Sequence, residues 1–209
     1  MHPSRRLPPP PAAPLVAGLP WLDFVNTRYR QRGAWVDALA TPGALAAWIQ
    51  AAGLAPPAGR PALAPLRGGS GGRLLLRQAH ALRAALGQLA RAIADGRPVP
   101  ERAIQIVNRV LRAAPAHREL RYEEGAWVAR EVRVGSEPLA LLAPIAHSAA
   151  DFLLTGDRSR VRACGNPACV LFFYDRTRNG IRRFCSTATC GNRVKAARRY
   201  RRLRAAQSG

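Results

Sequence analysis

The chain has 209 residues, 48% of them hydrophobic, which is enough for one good core and a small second domain. No uncharged apolar run reaches the eighteen residues of a membrane helix, so we expect a cytoplasmic protein without a membrane partner. The formal net charge of +21 favours a polyanionic partner. That charge is uneven, because about twelve basic residues and one acid, Asp175, lie between Val161 and Gly209.

The proline-rich segment 1–15 predicts disorder, and a mainly helical domain is expected over residues 16–157. Its predicted elements are a short helix from Thr41 to a stop at Gly53, a loop over Ala55–Gly72, and helices over Arg73–Ala94, Pro100–Ala113 and Glu137–Thr155. Ser136 is the expected cap of the last helix, and Gly156 its end. The stretch around Glu123-Glu124-Gly125 predicts a β-hairpin.

The apolar periodicity of the three long helices predicts which side chains they bury. The expected buried positions are Leu75, Ala79, Leu82, Leu86, Leu89 and Ile93, then Ile104, Val107 and Leu111, then Leu141, Ile145, Ala149 and Phe152. The tryptophans Trp21, Trp35, Trp48 and Trp127 are also expected in the core. We interpret His80, His117 and His147 as structural or surface residues, because no other ligand type lies near them in the sequence.

All four cysteines fall within 27 residues, as Cys164-x4-Cys169-x15-Cys185-x4-Cys190. In a cytoplasmic chain two such pairs favour one tetrahedral zinc ion, and redox-active disulfides are the alternative. Four thiolates leave no open coordination position. A structural Zn²⁺ is therefore expected rather than a hydrolytic one.

The residues between the cysteine pairs suggest how the pairs meet. Val170–Tyr174 reads as a strand, Asp175–Gly180 as a turn, and Ile181–Phe184 as the return, so a hairpin is expected to bring the pairs together. Ser186 or Thr187 can cap a helix whose first turn carries Cys190. This predicts a treble-clef-like module over residues 158–209, and the fold class is α+β.

The final helix is expected to pack Ala196, Tyr200 and Leu203 on this module and to turn its basic residues outward. Together with the basic residues of the insert they form a candidate nucleic-acid surface. Its candidate residues are Arg176, Arg178, Asn179, Arg182, Arg183, Asn192, Arg193, Lys195, Arg198, Arg199, Arg201 and Arg202.

The motifs Cys164-Gly165-Asn166-x-x-Cys169, Arg182-Arg183-Phe184-Cys185-Ser186 and Cys190-Gly191-Asn192-Arg193 resemble the CGNR zinc-finger family, although Phe184 stands where a tryptophan is expected. Leu22-Asp23-Phe24-Val25-Asn26-Thr27 resembles the opening of the ABATE domain, which usually precedes that finger. The resemblance implies four cysteine zinc ligands and a bacterial transcription regulator that binds double-stranded DNA. Asp23 and Asn26 are expected to hold a turn or cap rather than a ligand.

Three classes of function remain open. The first is a DNA-binding transcription regulator, associated with the nucleoid, in which the N-terminal domain is a sensor with a small-molecule effector or a homodimerisation module. The second is an RNA-binding or ribosome-associated zinc module. The third, an enzyme, is disfavoured because the sequence shows no Ser-His-Asp set, no phosphate-binding glycine loop and no informative pair of acids.

Overall fold

The structure is a computed structural model that describes residues 13, 15–55, 69–114, 116–133 and 138–207, with the backbone alone for 116–118 and 130–133. Most of the proline-rich segment, the expected cap Ser136 and most of the predicted loop therefore lie outside the described residues. The side chain of His117 does too.

Helices and three two-stranded antiparallel sheets make up the described chain, which confirms the α+β class. The helices are α1 (Pro20–Val25), α2 (Pro42–Ala51), α3 (Gly69–Ala94), α4 (Glu101–Arg112), α5 (Ala143–Thr155) and α6 (Asn192–Gln207). The strands are β1 (Arg28–Gln31), β2 (Ala34–Asp37), β3 (Ala116–Glu123), β4 (Ala126–Arg133), β5 (Val161–Ala163) and β6 (Phe172–Tyr174). Each strand pairs with its neighbour in sequence, so every sheet is a hairpin.

The helix boundaries follow local signals with two exceptions. Thr41 caps α2, accepting a hydrogen bond from the Ala44 amide at 3.1 Å, as predicted. Helix α3 begins at Gly69 rather than Arg73, so the end of the predicted loop is helical. Gly72 is buried there, and packing outweighs the low helix propensity of glycine.

The last helix of the N-terminal domain starts later than predicted. A single 3₁₀ segment spans Pro138–Leu142, and the α-helix runs only over Ala143–Thr155. Pro144 has no amide hydrogen to donate to an earlier carbonyl, so it suits the first turn of an α-helix and not its interior. Gly156 ends the helix as predicted, and a Cβ there would meet the Phe152 ring at 2.2 Å.

The core lies where α1, α3 and α5 meet. Trp21 packs on Phe152 with ring centroids 5.5 Å apart, and Phe24 packs on Trp48 at 5.2 Å. The prediction was therefore right for Trp21 and Trp48. It was wrong for two tryptophans, because Trp35 is 53% exposed and Trp127 is 70% exposed. Both stand on hairpins whose outer face has no described layer over it.

The buried faces of α3 and α5 match the sequence periodicity, apart from a half-buried Ile93. Helix α4 is rotated from its predicted face, and buries Ala103, Val107 and Val110. One apolar stretch among the described residues, Pro138–Thr155, has the length and composition of a membrane span. Its Leu142, Ile145 and Ala149 are fully buried in the core, so its apolar character is accounted for by packing.

Candidate metal centre and nucleic-acid interface

The first cysteine pair lies in the connection between β5 and β6. Asn166 is buried there: its side-chain oxygen accepts from the Ala168 amide at 3.1 Å, and its carbonyl accepts from the Cys169 amide at 2.8 Å. These bonds fold the chain into a tight knuckle that turns the Cys164 and Cys169 side chains toward one point. Gly165 then donates to the Arg183 carbonyl at 2.8 Å, where a Cβ would approach that oxygen to 3.0 Å.

The predicted hairpin across the insert is wrong. The strand Phe172–Tyr174 pairs with Val161–Ala163, which precedes the first cysteine, and residues 175–186 contain no strand. The insert turns back through Asp175 instead. This carboxylate is fully buried and accepts from the Thr177 amide and hydroxyl at 2.9 and 2.6 Å and from the Arg182 amide at 2.8 Å. Burial opposes ionisation of Asp175, but these hydrogen bonds outweigh it and hold its pKa below the ordinary range.

The second cysteine pair is Cys185, which precedes a wide helical turn over Thr187–Gly191, and Cys190, which lies within that turn. Ser186 caps it, accepting from the Thr189 amide at 3.3 Å, which confirms one of the two predicted caps. The Gly191 amide donates to the Ser186 carbonyl five residues earlier at 3.1 Å, so this turn is wider than an α-helical one. Cys190 is buried within it, and α6 follows directly.

The four sulfur atoms lie within 4.8 Å of one another. Cys185 Sγ is 3.8 Å from Cys169 Sγ and 3.6 Å from Cys190 Sγ. A tetrahedral zinc with Zn–S bonds of about 2.3 Å requires sulfur separations of about 3.8 Å. The donor set therefore has the geometry and the chemistry of a closed structural zinc site.

Without a cation the cluster cannot carry four thiolates. Hydrogen bonds from Cys169 and Cys185 lower the pKa of Cys164 to about 2, and the hydrogen bond with Cys164 raises the pKa of Cys169 to about 12. The pKa of Cys185 is also raised by its interaction with Cys164 and then Cys169. A divalent cation removes this conflict, so zinc binding should release protons from the cluster.

The finger is joined to the N-terminal domain by buried hydrogen bonds. Asn26 donates from its amide nitrogen to the Phe172 carbonyl at 2.8 Å and accepts from the Phe172 amide at 2.9 Å. Its side chain thereby replaces a neighbouring strand along β6. Beside it, the Tyr174 amide donates to the Ala17 carbonyl at 2.8 Å, and the Arg91 guanidinium lies 4.9 Å from the centroid of the Phe172 ring.

These contacts confirm that Asp23 and Asn26 have structural roles, and they extend the role of Asn26 beyond a local turn. Asp23 accepts from the Ala17 amide at 2.8 Å, and burial raises the pKa of its carboxyl group. The buried apolar cluster runs without a break from the N-terminal helices to Phe172, Phe173 and Cys185. The finger and the N-terminal domain therefore share one core.

Sequence reasoning missed a second buried group beside this junction. Arg83 forms two hydrogen bonds of 2.6 Å with Asp37 and one of 3.0 Å with the Thr27 hydroxyl. Burial alone would raise the pKa of Asp37, but the hydrogen bonds from Arg83 lower it overall. Oppositely charged residues 46 positions apart carry no local signal in the sequence. The interpretation of His80 as structural agrees with its 2.9 Å contact with the Leu39 carbonyl.

Helix α6 does not pack as predicted. None of its residues is buried; Ala196 is exposed, Tyr200 is 61% exposed and Leu203 is 53% exposed. The expectation that these three side chains would pack on the finger was wrong, because α6 leaves the wide turn without a layer beneath it. The helix presents seven basic side chains and no acidic one.

Most candidate nucleic-acid residues lie at the surface. The exposed ones are Arg176, Arg178, Asn179, Arg183, Asn192, Arg193, Lys195, Arg198, Arg199, Arg201 and Arg202. Three of these also make internal contacts, since Arg176 donates to the Gly18 carbonyl, Asn192 to the Ala188 carbonyl and Arg201 to the Ala197 carbonyl. Arg182 is half-buried: it donates to the carbonyls of Val16, Phe184 and Cys185, and stacks 4.5 Å from the Phe173 ring centroid. The structure thus gives Arg182 a role inside the fold.

A four-cysteine metal centre followed by an exposed basic helix defines the class of zinc-finger proteins, here with an N-terminal helical domain that precedes the finger. Comparison with family models agrees: residues 160–203 match the CGNR zinc finger, and residues 18–156 match ABATE, described as "Putative stress-induced transcription regulator". The chain belongs to the ABATE family and carries a CGNR zinc finger with one structural zinc ion at Cys164, Cys169, Cys185 and Cys190. No curated protein matches the chain.

Proposed function

We propose that the protein is a bacterial, cytoplasmic transcription regulator that binds double-stranded DNA sequence-selectively through α6 and the basic residues of its finger. The observation that carries this proposal is that α6 has no buried residue and exposes all seven of its basic side chains. A helix of sixteen residues is about 24 Å long, and a helix of this kind fits the major groove of DNA. Its arginines can contact both phosphates and guanine edges.

In this proposal the zinc ion has a structural role. Cys164, Cys169, Cys185 and Cys190 hold it, and a closed thiolate site supplies folding energy rather than a reactive water. We assign no catalytic role to the chain. The N-terminal domain is proposed as the sensor or dimerisation module, and its shared core with the finger gives a physical route between an effector and the DNA-binding surface.

The proposal is tested by the affinity of the zinc-loaded protein for duplex DNA across a salt series, after selection of preferred fragments from genomic DNA. The variant Arg199→Ala/Arg202→Ala should weaken binding at least tenfold. It should also lower the slope of log affinity against log salt by about 2, because each lost phosphate contact removes about 0.9. The matched control is Arg102→Ala/Arg109→Ala, which removes the same charge from the exposed face of α4.

Two results would contradict the proposal. The first is equal weakening by the α6 variant and the α4 control, because binding would then follow net charge alone. The second is selection of structured RNA over duplex DNA in direct competition, which would favour an RNA-binding module instead.

A further inference from the structure

The β1–β2 hairpin has one face in the core and one in solvent. Tyr29 is 7% exposed and Val36 is half-buried on the inner face. Because side chains alternate along a strand, Arg28, Arg30 and Trp35 share the outer face, where Arg30 and Trp35 are paired across the strands. An exposed tryptophan between arginines is not explained by the core or by the zinc site.

On the outer face, two arginine side chains make cation–π contacts with the Trp35 ring. The guanidinium groups of Arg28 and Arg30 lie 4.9 and 5.2 Å from the centre of the Trp35 ring. Arg32 is at the tip of the hairpin, in a turn where Arg32 and Gly33 both have positive φ angles of 51° and 86°. Such a turn favours asparagine or glycine at its first position, so an arginine there is placed against the local preference.

The positive charge of this face is not neutralised within the described chain. No acidic residue occurs from Arg28 to Val36, and none of the three arginines forms an ion pair with a described residue. One acid, Asp37, is the cross-strand partner of Arg28 at the base of the hairpin, but its carboxylate is held by Arg83 at 2.6 Å. Guanidinium groups suit phosphate, and contacts to phosphate and sugar position a protein on a duplex, so arginines beside an exposed aromatic ring suit the sugar-phosphate backbone.

The hairpin is fixed to the finger at its base. Thr27, which precedes β1, follows Asn26, whose side chain is bound to the Phe172 backbone. The Ala38 amide donates to the Thr27 carbonyl at 2.9 Å and closes the base of the hairpin. Four residues per strand reach about 13 Å from that point. Because the hairpin is joined to the finger in this way, a polyanion bound by the finger is bound by the same part of the protein that carries the outer face of the hairpin.

We propose that the β1–β2 hairpin is a second DNA contact of the protein, supplied by the N-terminal domain. Arg28, Arg30 and Arg32 bind phosphates of the same duplex that α6 engages, and Trp35 holds two of the guanidinium groups in place and packs against the sugars. The inference rests on the proposed function, because it needs a duplex bound to the finger.

The test is a triple variant, Arg28→Ala/Arg30→Ala/Arg32→Ala, compared in the full-length, zinc-loaded protein with Arg102→Ala/Arg109→Ala/Arg112→Ala on the exposed face of α4. The hairpin variant should lose at least tenfold in affinity for the selected duplex, and its salt slope should fall by about 2 to 3. The α4 variant should change neither by more than about twofold. A single variant, Trp35→Ala, is expected to lose a smaller part of the affinity than the triple variant.

Hydroxyl-radical footprinting separates this inference from the proposed function. The parent should protect the site of α6 and a second patch of backbone, and the hairpin variant should lose only the second patch. If the hairpin and α4 variants behave alike while the α6 variant is impaired, the second contact is refuted and the proposed function stands. If the parent binds no duplex DNA, both fall. Unchanged melting temperatures and zinc content in all variants show that affinity, and not folding, has been measured.

Discussion

Strand β6 and helix α6 belong to the same zinc finger, yet their surroundings are opposite. Phe172 and Phe173 are 6% and 0% exposed, and β6 is bound by Asn26 and Ala17 of the N-terminal domain. Helix α6 has no buried residue. One half of this finger therefore belongs to the common core of the described chain, and the other half is exposed to solvent. The following predictions test that division.

Loss of zinc should have the largest effect. Sequence reasoning alone predicts that Cys185→Ser unfolds the finger and leaves the helical domain intact. The shared core changes this expectation: the substitution should destabilise the N-terminal helices as well, because Phe172 and Cys185 lie in one apolar cluster with them. Zinc binding contributes about 10–16 kcal/mol to the folding of zinc-finger peptides.

Thermal unfolding followed by circular dichroism checks this prediction. Cys185→Ser, or the parent after chelation, should unfold in one transition at a much lower temperature, and added zinc should restore the parent. If the helices of the Cys185→Ser variant unfolded at the same temperature as those of the parent, the finger and the N-terminal domain would fold separately.

Asn26→Ala should have the next largest effect. The substitution leaves a buried amide and a buried carbonyl of Phe172 without partners, which costs about 3 kcal/mol. Denaturant unfolding measures the loss, with exposed Asn108→Ala on α4 as the control. A loss below about 1 kcal/mol would mean that the finger is not fastened through this side chain.

The Arg83–Asp37 pair should give a smaller, pH-dependent effect. Since the pKa of Asp37 is lowered in the folded protein, its stabilising contribution is present above the ordinary aspartate pKa of about 4 and is lost as the pH falls through the folded value. Asp37→Asn should be less stable than the parent at pH 7 by about 1–3 kcal/mol, and the difference should shrink below pH 4. A difference that is constant between pH 7 and pH 3 would contradict the ion-pair account.

Substitution on exposed apolar surface should have the smallest effect. Tyr200→Ala on α6 and Trp127→Ser on β4 should each change the free energy of unfolding by less than about 1 kcal/mol, because both side chains are more than half exposed. A matched buried change, Trp48→Ala, should cost about 3–5 kcal/mol. If Tyr200→Ala were as costly as Trp48→Ala, α6 would be packed on another surface.

Local signals in the sequence were sufficient for the presence of α2 to α6, for the turn at Glu124-Gly125 and for the four metal ligands. They were not sufficient for α1 or for the β1–β2 hairpin, which the sequence analysis does not predict. Periodicity predicts the buried face of α3 and α5, and the number and spacing of the cysteines point to zinc. The errors came from long-range contacts. The partner of β6 is set by the knuckle that connects it to β5, and the exposure of Trp35 depends on what covers its hairpin.

The junction could not be predicted from the sequence for the same reason. Asn26 and Phe172 are 146 residues apart, and an asparagine side chain that pairs with strand backbone has no periodic or compositional mark. Arg182 is the opposite case, in which a sequence signal is present but misleading. It lies in a basic stretch that reads as surface, yet its guanidinium satisfies carbonyl groups inside the fold.

Hydrogen–deuterium exchange of the zinc-loaded protein, with and without its selected duplex, tests both halves of the account in one measurement. Amides of β6 and of residues 20–27 should exchange slowly in both states, whereas amides of α6 should exchange fast in the free protein and become strongly protected on DNA. Fast exchange of β6 in the free protein, or exchange in α6 that DNA leaves unchanged, would contradict it.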